Sequence, residues 1–185
     1  KGIVKWNMTG QHSVANALAT IAAAEHVGVS IETACEALSN GGGVKRRMEL
    51  LDTVKGIEVY DDFAHHPTAI ETTLDGARKR LGERKLWAII EPRSNTMRMG
   101  SHKDGLAHSA RLADEVIWYQ PEGLDWDLQP VIDAAPNKAV VARSLDDIIQ
   151  TVVSEAGEGD AVVIMSNGGF GGLHQKLISA LQQNA

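Results

Sequence analysis

The chain has 185 residues, 43% of them hydrophobic, and a formal net charge of −6. It is long enough for a full hydrophobic core, and fits one domain or one domain plus a fragment of another. Negative charge without long Lys or Arg runs argues against nucleic-acid or membrane partners. The first residues show no signal-peptide h-region and no apolar run approaches roughly 18 residues, so we expect a cytoplasmic location.

The first predicted element is a helix whose apolar residues recur at spacings of three and four positions. His12 and Asn16 fall on the side of this helix opposite its apolar stripe, so we expect them to face away from the core. They are candidate ligand contacts or ordinary solvated residues. A second short helix follows. The stripe of the first helix consists of Val14, Ala17, Leu18 and Ile21.

A glycine-rich segment at residues 40–43 ends the second helix and is the best candidate for a hinge or a domain boundary. Three cations follow it, at Lys45, Arg46 and Arg47. Guanidinium groups bind phosphate through paired hydrogen bonds, so this cluster suits a polyphosphate ligand. The alternative is a solvated basic patch.

From residue 48 onward strands alternate with helices. This order predicts an α/β, Rossmann-like, mostly parallel sheet of about six strands with helices on both faces. The first two strands are separated only by Lys55 and Gly56, which allows an antiparallel hairpin at one edge. The predicted strands are residues 48–54, 57–60, 86–90, 115–119, 139–141 and 161–165, and the predicted helices are 68–81, 106–112, 128–134, 145–155 and 173–181.

Polar residues follow three of these strands, at the sheet edge where open α/β folds bind ligands. The second strand runs into Asp61 and Asp62, followed by His65 and His66. A site is the leading interpretation. The alternative is that an Asp caps the next helix and that backbone carbonyls satisfy the histidines.

The other two strand ends lead into loops at residues 91–98 and 166–172. Guanidinium, hydroxyl and amide groups in the first loop could hold a carboxylate. Glycines in the second would let backbone N–H groups approach a ligand closely. The alternative for the first loop is that its polar residues only keep it soluble. The alternative for the second loop is a tight turn between a strand and a helix. The sequence contains no G-x-x-x-x-G-K-[ST] phosphate loop and no H-E-x-x-H metal spacing.

Three segments in order resemble the Mur ligase family of ATP-dependent amide-forming enzymes. Residues 10–19 resemble its G-x-H-N-x-x-N-x-L-A segment, with Ser13 in place of the usual Asn, and residues 46–49 resemble its arginine-bearing segment. Asp61-Asp62-Phe63-Ala64-His65-His66-Pro67 resembles its D-D-Y-x-H-H-P signature. Residues 91–97 and 166–172 resemble the branch of the family that recycles a murein tripeptide.

The resemblance implies that residues 1–43 are the helical tail of a central ATP-binding domain with a hinge, and that residues 44–185 are the peptide-binding C-terminal domain. Such a ligase is more than twice as long as this chain, and its phosphate loop and metal ligands would lie elsewhere. We therefore expect the fragment alone to be inactive. Two alternatives stay open: a non-catalytic peptide- or nucleotide-binding module, and a UDP-N-acetylmuramate:L-alanine ligase.

The resemblance also implies a reaction and its contacts. ATP and Mg²⁺ would activate the lactyl carboxylate of UDP-N-acetylmuramate as an acyl phosphate, which the amine of the tripeptide then attacks. His65 and His66 would shape the cleft, and no catalytic or metal-binding residue is expected within the fragment. The expected ATP contacts are His12, Asn16, Arg47 and Asp62, and the expected peptide contacts are Arg93, Ser94, Asn95, Thr96, Arg98, Ser166, Asn167, Gly168 and Gly169.

Overall fold

The computed structural model describes residues 1–92, 103–120, 123 and 127–183. Among the helices in these ranges, none combines the length and the apolar character that crossing a membrane requires. The helices are α1 (Gln11–His26), α2 (Ile31–Asn40), α3 (Pro67–Leu81), α4 (Lys103–Ser109), α5 (Gln129–Asp133), α6 (Leu145–Glu155) and α7 (Leu173–Gln183), with a 3-10 turn at Phe170–Gly172 before α7. The strands are β1 (Glu49–Val54), β2 (Ile57–Asp62), β3 (Leu86–Ile90), β4 (Glu115–Tyr119), β5 (Lys138–Ala142) and β6 (Ala161–Met165).

The six strands form one sheet in the order β1-β2-β6-β3-β4-β5. Only β1 and β2 pair antiparallel, and every other neighbouring pair is parallel. Lys55 and Gly56 connect the hairpin with φ values of 50° and 77°, as a two-residue turn that matches the strand twist requires. The predicted fold class, including the antiparallel edge, is confirmed.

The sheet separates two apolar layers. One layer lies against α3, α4 and α5, and the other lies against α6 and α7. The central strands β3 and β6 are buried at every position, which explains their uninterrupted apolar sequences. On β2, Val59 belongs to the α6 and α7 layer, whereas Tyr60 belongs to the α3 layer. This alternation continues to the end of β2 and decides where its two acids lie.

The orientation predicted for α1 is only partly right. Ala17 is buried and Ile21 is half-buried, but Val14 and Leu18 are 49% and 64% exposed. The small residues Ser13 and Ala17 form the buried part of α1 instead. A periodic apolar stripe shows which residues share a side of a helix, but it cannot show how much of that side a neighbour covers.

The segment before α1 lies directly against α3 at Gly76. A Cβ atom built on Gly76 would lie 3.0 Å from Thr9 Oγ1 and 3.2 Å from the backbone nitrogen of Gly10. The absence of a side chain at Gly76 permits this close approach in the middle of a helix, where a Cβ would push its neighbours back by a few tenths of an ångström. The contact brings the start of α1 close to the end of β2.

Candidate functional site

The strand-end site starts from the two acids that end β2. The prediction ended this strand at residue 60, but β2 extends to Asp62. Side chains alternate across a strand, so the two acids point to opposite faces of the sheet. Asp61 contacts His174 on α7, and Asp62 contacts Thr73 on α3.

The carboxylate of Asp62 is an internal hydrogen-bond acceptor. It accepts hydrogen bonds from the backbone N–H groups of Met48 and Ala64, both at 2.8 Å, and from the hydroxyl of Thr73 at 3.1 Å. Burial raises the pKa of Asp62 above its ordinary value, although these hydrogen bonds oppose the shift. Asp62 therefore joins the start of β1, the end of β2 and helix α3.

Asp61 forms an ion cluster on the other face. Arg46 Nε donates to Asp61 Oδ2 at 3.0 Å, and His174 Nε2 lies 3.1 Å from Asp61 Oδ1. Burial would raise the pKa of Asp61, but the hydrogen bond with His174 and the charge of Arg46 outweigh it and hold the pKa below its usual range. Asp61 thus remains a charged anchor for both partners.

Arg46 extends this cluster to the loop that follows β6. Its Nη2 atom donates to the carbonyl oxygens of Ser166 at 2.6 Å and Gly168 at 3.0 Å. Its backbone has a φ of 57°, and its N–H group donates to the carboxylate of Glu49 at 2.8 Å. Arg46 therefore points into the protein, whereas its neighbour Arg47 is exposed.

Glu91 holds the same loop through Ser166. The Ser166 hydroxyl donates to Glu91 Oε2, and the backbone N–H of Gly168 donates to Ser166 Oγ at 2.9 Å. Glu91 and Ser166 are both buried. The N–H of Glu91 also donates to the carbonyl of Met165, so the ends of β3 and β6 are joined beside this pair.

The two histidines after β2 have local backbone partners. His65 Nδ1 lies 2.8 Å from the carbonyl oxygen of Phe63, and the His65 ring packs edge-on against the rings of Phe63 and His66. His66 is the N-cap of α3, where its Nδ1 atom accepts a hydrogen bond from the N–H of Ala69. Their predicted contribution to a cleft stays a prediction.

A cleft of about 580 Å³ opens between residues 5–8, the glycine-rich segment and the start of β1. Arg47 lies in its wall, and three further cations contribute to the lining. Four cations against the single acid Glu49, whose carboxylate accepts a hydrogen bond from the backbone N–H of Arg46, give this open cleft an excess of positive charge that suits a polyanion. The three further cations are Lys5, Lys45 and Arg80.

A smaller cavity lies next to this cleft, beside the start of α1. His12 and Asp62 both line it, together with Arg47. His12 is half-buried and its Nδ1 atom has no hydrogen-bond partner among the described residues, whereas Asn16 is exposed. The structure therefore brings three of the four predicted ATP contacts together, and leaves Asn16 on the outer surface of α1.

The predicted peptide contacts divide into two groups. The first group lies in the loop after β6, at the carboxyl edge of the sheet, where Arg46 and the Ser166 hydroxyl hold the backbone. This group consists of Ser166, Asn167, Gly168 and Gly169. The predictions for Arg93, Ser94, Asn95, Thr96 and Arg98 lie outside the described residues.

Sequence reasoning missed the residues that hold the strand-end loop. Arg46 belongs to the basic cluster, but the family resemblance assigns the ATP contact to Arg47. The sequence shows Glu91 only as the start of a predicted loop and His174 only as part of the last predicted helix. For His174, the one available signal was the side-chain alternation of β2, which predicts that Asp61 faces the opposite layer from Asp62.

Comparison with known proteins gives consistent results. Residues 46–168 match the family model described as Mur ligase, glutamate ligase domain. A UDP-N-acetylmuramate–L-alanyl-γ-D-glutamyl-meso-2,6-diaminoheptandioate ligase from Haemophilus influenzae is 46% identical over 97% of this chain. A UDP-N-acetylmuramate–L-alanine ligase from Desulfitobacterium hafniense is 31% identical over 93% of it.

A solved structure is also similar to this chain. The crystal structure of a murein peptide ligase from Psychrobacter arcticus 273-4 has 59% sequence identity and a TM-score of 0.78, over 97% of this chain and 39% of that one. The chain spans 40% of the length of each of the two ligases above. The similarity therefore concerns one part of longer proteins.

Proposed function

This chain belongs to the Mur ligase family, and from that premise we propose that it is the C-terminal part of a murein tripeptide ligase. The whole enzyme would join L-Ala-γ-D-Glu-meso-diaminopimelate to UDP-N-acetylmuramate at the expense of ATP. The observation that carries this proposal is the 46% identity with a tripeptide ligase along nearly the whole chain.

The comparisons also favour one branch of the family. Identity with the alanine ligase is 31% over a similar length, well below the value for the tripeptide ligase. The solved murein peptide ligase, at 59% identity, points to the same branch. We therefore place the alanine ligase second.

We further propose that residues 1–43 belong to a central ATP-binding domain and that residues 44–185 form the peptide-binding domain. The family match begins at residue 46, just after the glycine-rich segment, which supports this boundary. The remaining parts of the active site would come from regions of the parent protein beyond this chain.

ATP would bind on the side of the N-terminal segment. Arg47 is exposed in a cationic cleft, where its guanidinium can pair with a phosphate. His12 and Asp62 line the adjacent cavity, and exposed Asn16 would contact the adenine from α1. For Asp62 a ribose contact would be an additional role, since its carboxylate already accepts three hydrogen bonds.

The peptide would bind at the carboxyl edge of the sheet. Within the described residues, the backbone N–H groups of Asn167 and Gly169 have no hydrogen-bond acceptor, and Gly169 is exposed. Free N–H donors on a fixed loop suit a carboxylate of the incoming peptide. The proposed contacts between 93 and 98 would complete this subsite, and His65 and His66 would form the wall between the two subsites.

The proposed reaction has two steps. ATP transfers its terminal phosphoryl group to the lactyl carboxylate, which gives an acyl phosphate and ADP. The amine of L-alanine then attacks the carbonyl carbon, the carbon–oxygen bond to phosphate breaks, and the nitrogen loses a proton as the amide forms. The residues of this chain would hold and orient the peptide so that its amine reaches that carbon.

Mg²⁺ would balance phosphate charge in the whole enzyme. In the described residues no group of three or more His, Cys, Asp or Glu side chains could hold a metal ion, so we assign no residue of this chain to it. The proposal also includes a cytoplasmic location and no nucleic-acid partner, in keeping with the net charge of −6.

The decisive experiment is a substrate assay of the full-length parent. UDP-N-acetylmuramate, ATP, Mg²⁺ and either the tripeptide or L-alanine are supplied, and products are identified by mass spectrometry. We expect a muramyl-tripeptide product and, with L-alanine, much slower turnover. Preference for L-alanine would instead support the alanine ligase, and the absence of both products would overturn the proposal.

The 185-residue chain alone is the matched control. We expect it to hydrolyse no ATP and form no product, because it lacks a phosphate loop. Activity of this chain alone would refute the division of the active site proposed above.

A further inference from the structure

The loop at residues 166–169 is held by buried and half-buried polar groups from three separate parts of the chain. Arg46 comes from the segment after the glycine-rich stretch, Glu91 follows β3, and His174 lies on α7. None of these three residues was among the predicted substrate contacts. Arg46 and Glu91 contact the loop itself, and His174 contacts Asp61, the acid that orients Arg46.

Arg46 fixes the carbonyl groups of the loop. One nitrogen, Nη2, donates to the carbonyl oxygens of both Ser166 and Gly168, while Nε donates to Asp61. Asp61 is held in turn by His174. A planar guanidinium can make these bonds at once because its donors have a fixed geometry, which a lysine ammonium cannot reproduce.

Glu91 fixes the loop from its other side. Its carboxylate accepts a hydrogen bond from the Ser166 hydroxyl, so that Ser166 Oγ presents a lone pair to the N–H of Gly168. Without an acceptor at position 91 the Ser166 hydroxyl could rotate, and its half-buried hydrogen bond with the Gly168 N–H would weaken. Glu91 thus controls the orientation of the Ser166 hydroxyl.

We propose that Arg46 and Glu91 are positioning residues, which set the 166–169 loop so that the N–H groups of Asn167 and Gly169 are ready for a carboxylate of the incoming peptide. This inference rests on the proposed function and adds residues to it. Asp61 and His174 serve the same purpose indirectly, by holding Arg46. The effect is preorganisation, so it concerns peptide binding more than ATP binding.

The test uses the full-length parent with Arg46→Lys, Glu91→Ala and Glu91→Gln. We expect Arg46→Lys and Glu91→Ala each to raise KM for the tripeptide about tenfold or more, with KM for ATP changed less than about twofold. Glu91→Gln keeps an oxygen that can accept from Ser166, so it should recover most of the lost affinity. Lys176→Ala and Glu83→Gln, at exposed positions, are the matched charge controls and should behave as wild type.

A second measurement uses this chain alone and does not depend on turnover. In amide NMR spectra, Arg46→Lys and Glu91→Ala should shift the Gly168 and Gly169 signals and speed hydrogen exchange at Gly168, whereas the two control variants should not. If Arg46→Lys fails to fold, the difference between Glu91→Ala and Glu91→Gln carries the same information, and if Glu91→Ala fails to fold, Arg46→Lys carries it.

The outcomes separate the two proposals. A wild-type parent without muramyl-tripeptide product would overturn the proposed function, and the NMR comparison would then decide the positioning role. With an active parent, an unchanged tripeptide KM in both Arg46→Lys and Glu91→Ala would overturn the positioning role. An equal rise in KM for ATP and for the tripeptide would also overturn it, because it would indicate general damage.

Discussion

Asp61 and Asp62 are neighbours in the chain but lie on opposite faces of the sheet, where each binds a different helix. Asp61 contacts His174 of α7, and Asp62 contacts Thr73 of α3. The pleat of β2 therefore gives the two carboxylates separate functions. Asp61 is a charged partner of Arg46, and Asp62 is a buried acceptor that holds the backbone N–H of Met48, whose φ is 47°.

Replacing Asp62 tests its internal role. Asp62→Ala leaves the buried N–H groups of Met48 and Ala64 without their acceptor, so we expect the free energy of unfolding to fall by about 2 to 4 kcal/mol. Urea unfolding of this chain measures the change. Thr73→Val removes only the hydroxyl donor and should cost about 1 kcal/mol. Equal effects of the two substitutions would contradict this description of Asp62.

The acid on the other face predicts a pH dependence. The pKa of Asp61 is held below its ordinary 3.8, so the charged form favours the folded state. Its contribution is fully present above the unfolded pKa and is lost as the pH falls through the lower folded pKa. Asp61→Asn should therefore cost about 2 kcal/mol at pH 7, and this difference from wild type should shrink below pH 3.8.

Urea unfolding of both proteins from pH 7 downward measures this difference. If the difference in free energy of unfolding between wild type and Asp61→Asn stayed constant across the acid range, the charge of Asp61 would not be the source of its contribution. His174→Gln is a useful companion, since it leaves the Arg46 contact in place and should have a smaller effect at pH 7.

Two glycines within helices give a matched pair. At Gly76 a new Cβ would crowd the backbone of Gly10, whereas at Gly105 it would make ordinary contacts of 3.5 Å with Pro67. Alanine favours helix by about 1 kcal/mol over glycine. We expect Gly105→Ala to stabilise the chain by up to this amount, and Gly76→Ala to destabilise it by about 1 kcal/mol, as measured by thermal unfolding. If both substitutions stabilised the chain, Thr9 and Gly10 would have to move away from position 76 at little cost.

Arg47 is the test residue for the ATP cleft. In the full-length parent, Arg47→Ala should raise KM for ATP about tenfold or more, because it removes a charge-assisted phosphate contact. KM for the tripeptide should stay within about twofold of wild type. Lys79→Ala removes an exposed cation on α3 and serves as the control. Loss of tripeptide affinity with normal ATP affinity would place Arg47 in the wrong subsite.

The sequence predicted the sheet well because its strands carry strong signals. The apolar runs of β3 and β6 and the turn at Lys55 and Gly56 correspond to burial and to a two-residue hairpin. The exposed part of α1 was not predictable, because Val14 and Leu18 fit a helix stripe whether or not a neighbour covers them. Local pattern decides the element, but packing decides what the element buries.

The site was predictable only in part for a related reason. Arg46, Glu91 and His174 are far apart in the chain and meet only because β6 lies between β2 and β3. Arg46 and Arg47 have similar chemistry and adjacent positions, so the choice between them depends on a backbone with positive φ at residue 46. No residue pattern in one short segment reveals such a choice.

The position of β6 also governs the order in which the molecule can be assembled. β6 comes after the other five strands of the sheet in the chain but fills the gap between β2 and β3, so β2 and β3 cannot pair with it until residues 161–165 have left the ribosome. His174 emerges later still. During synthesis, Asp61 can therefore contact Arg46 before its second partner, His174, has been made.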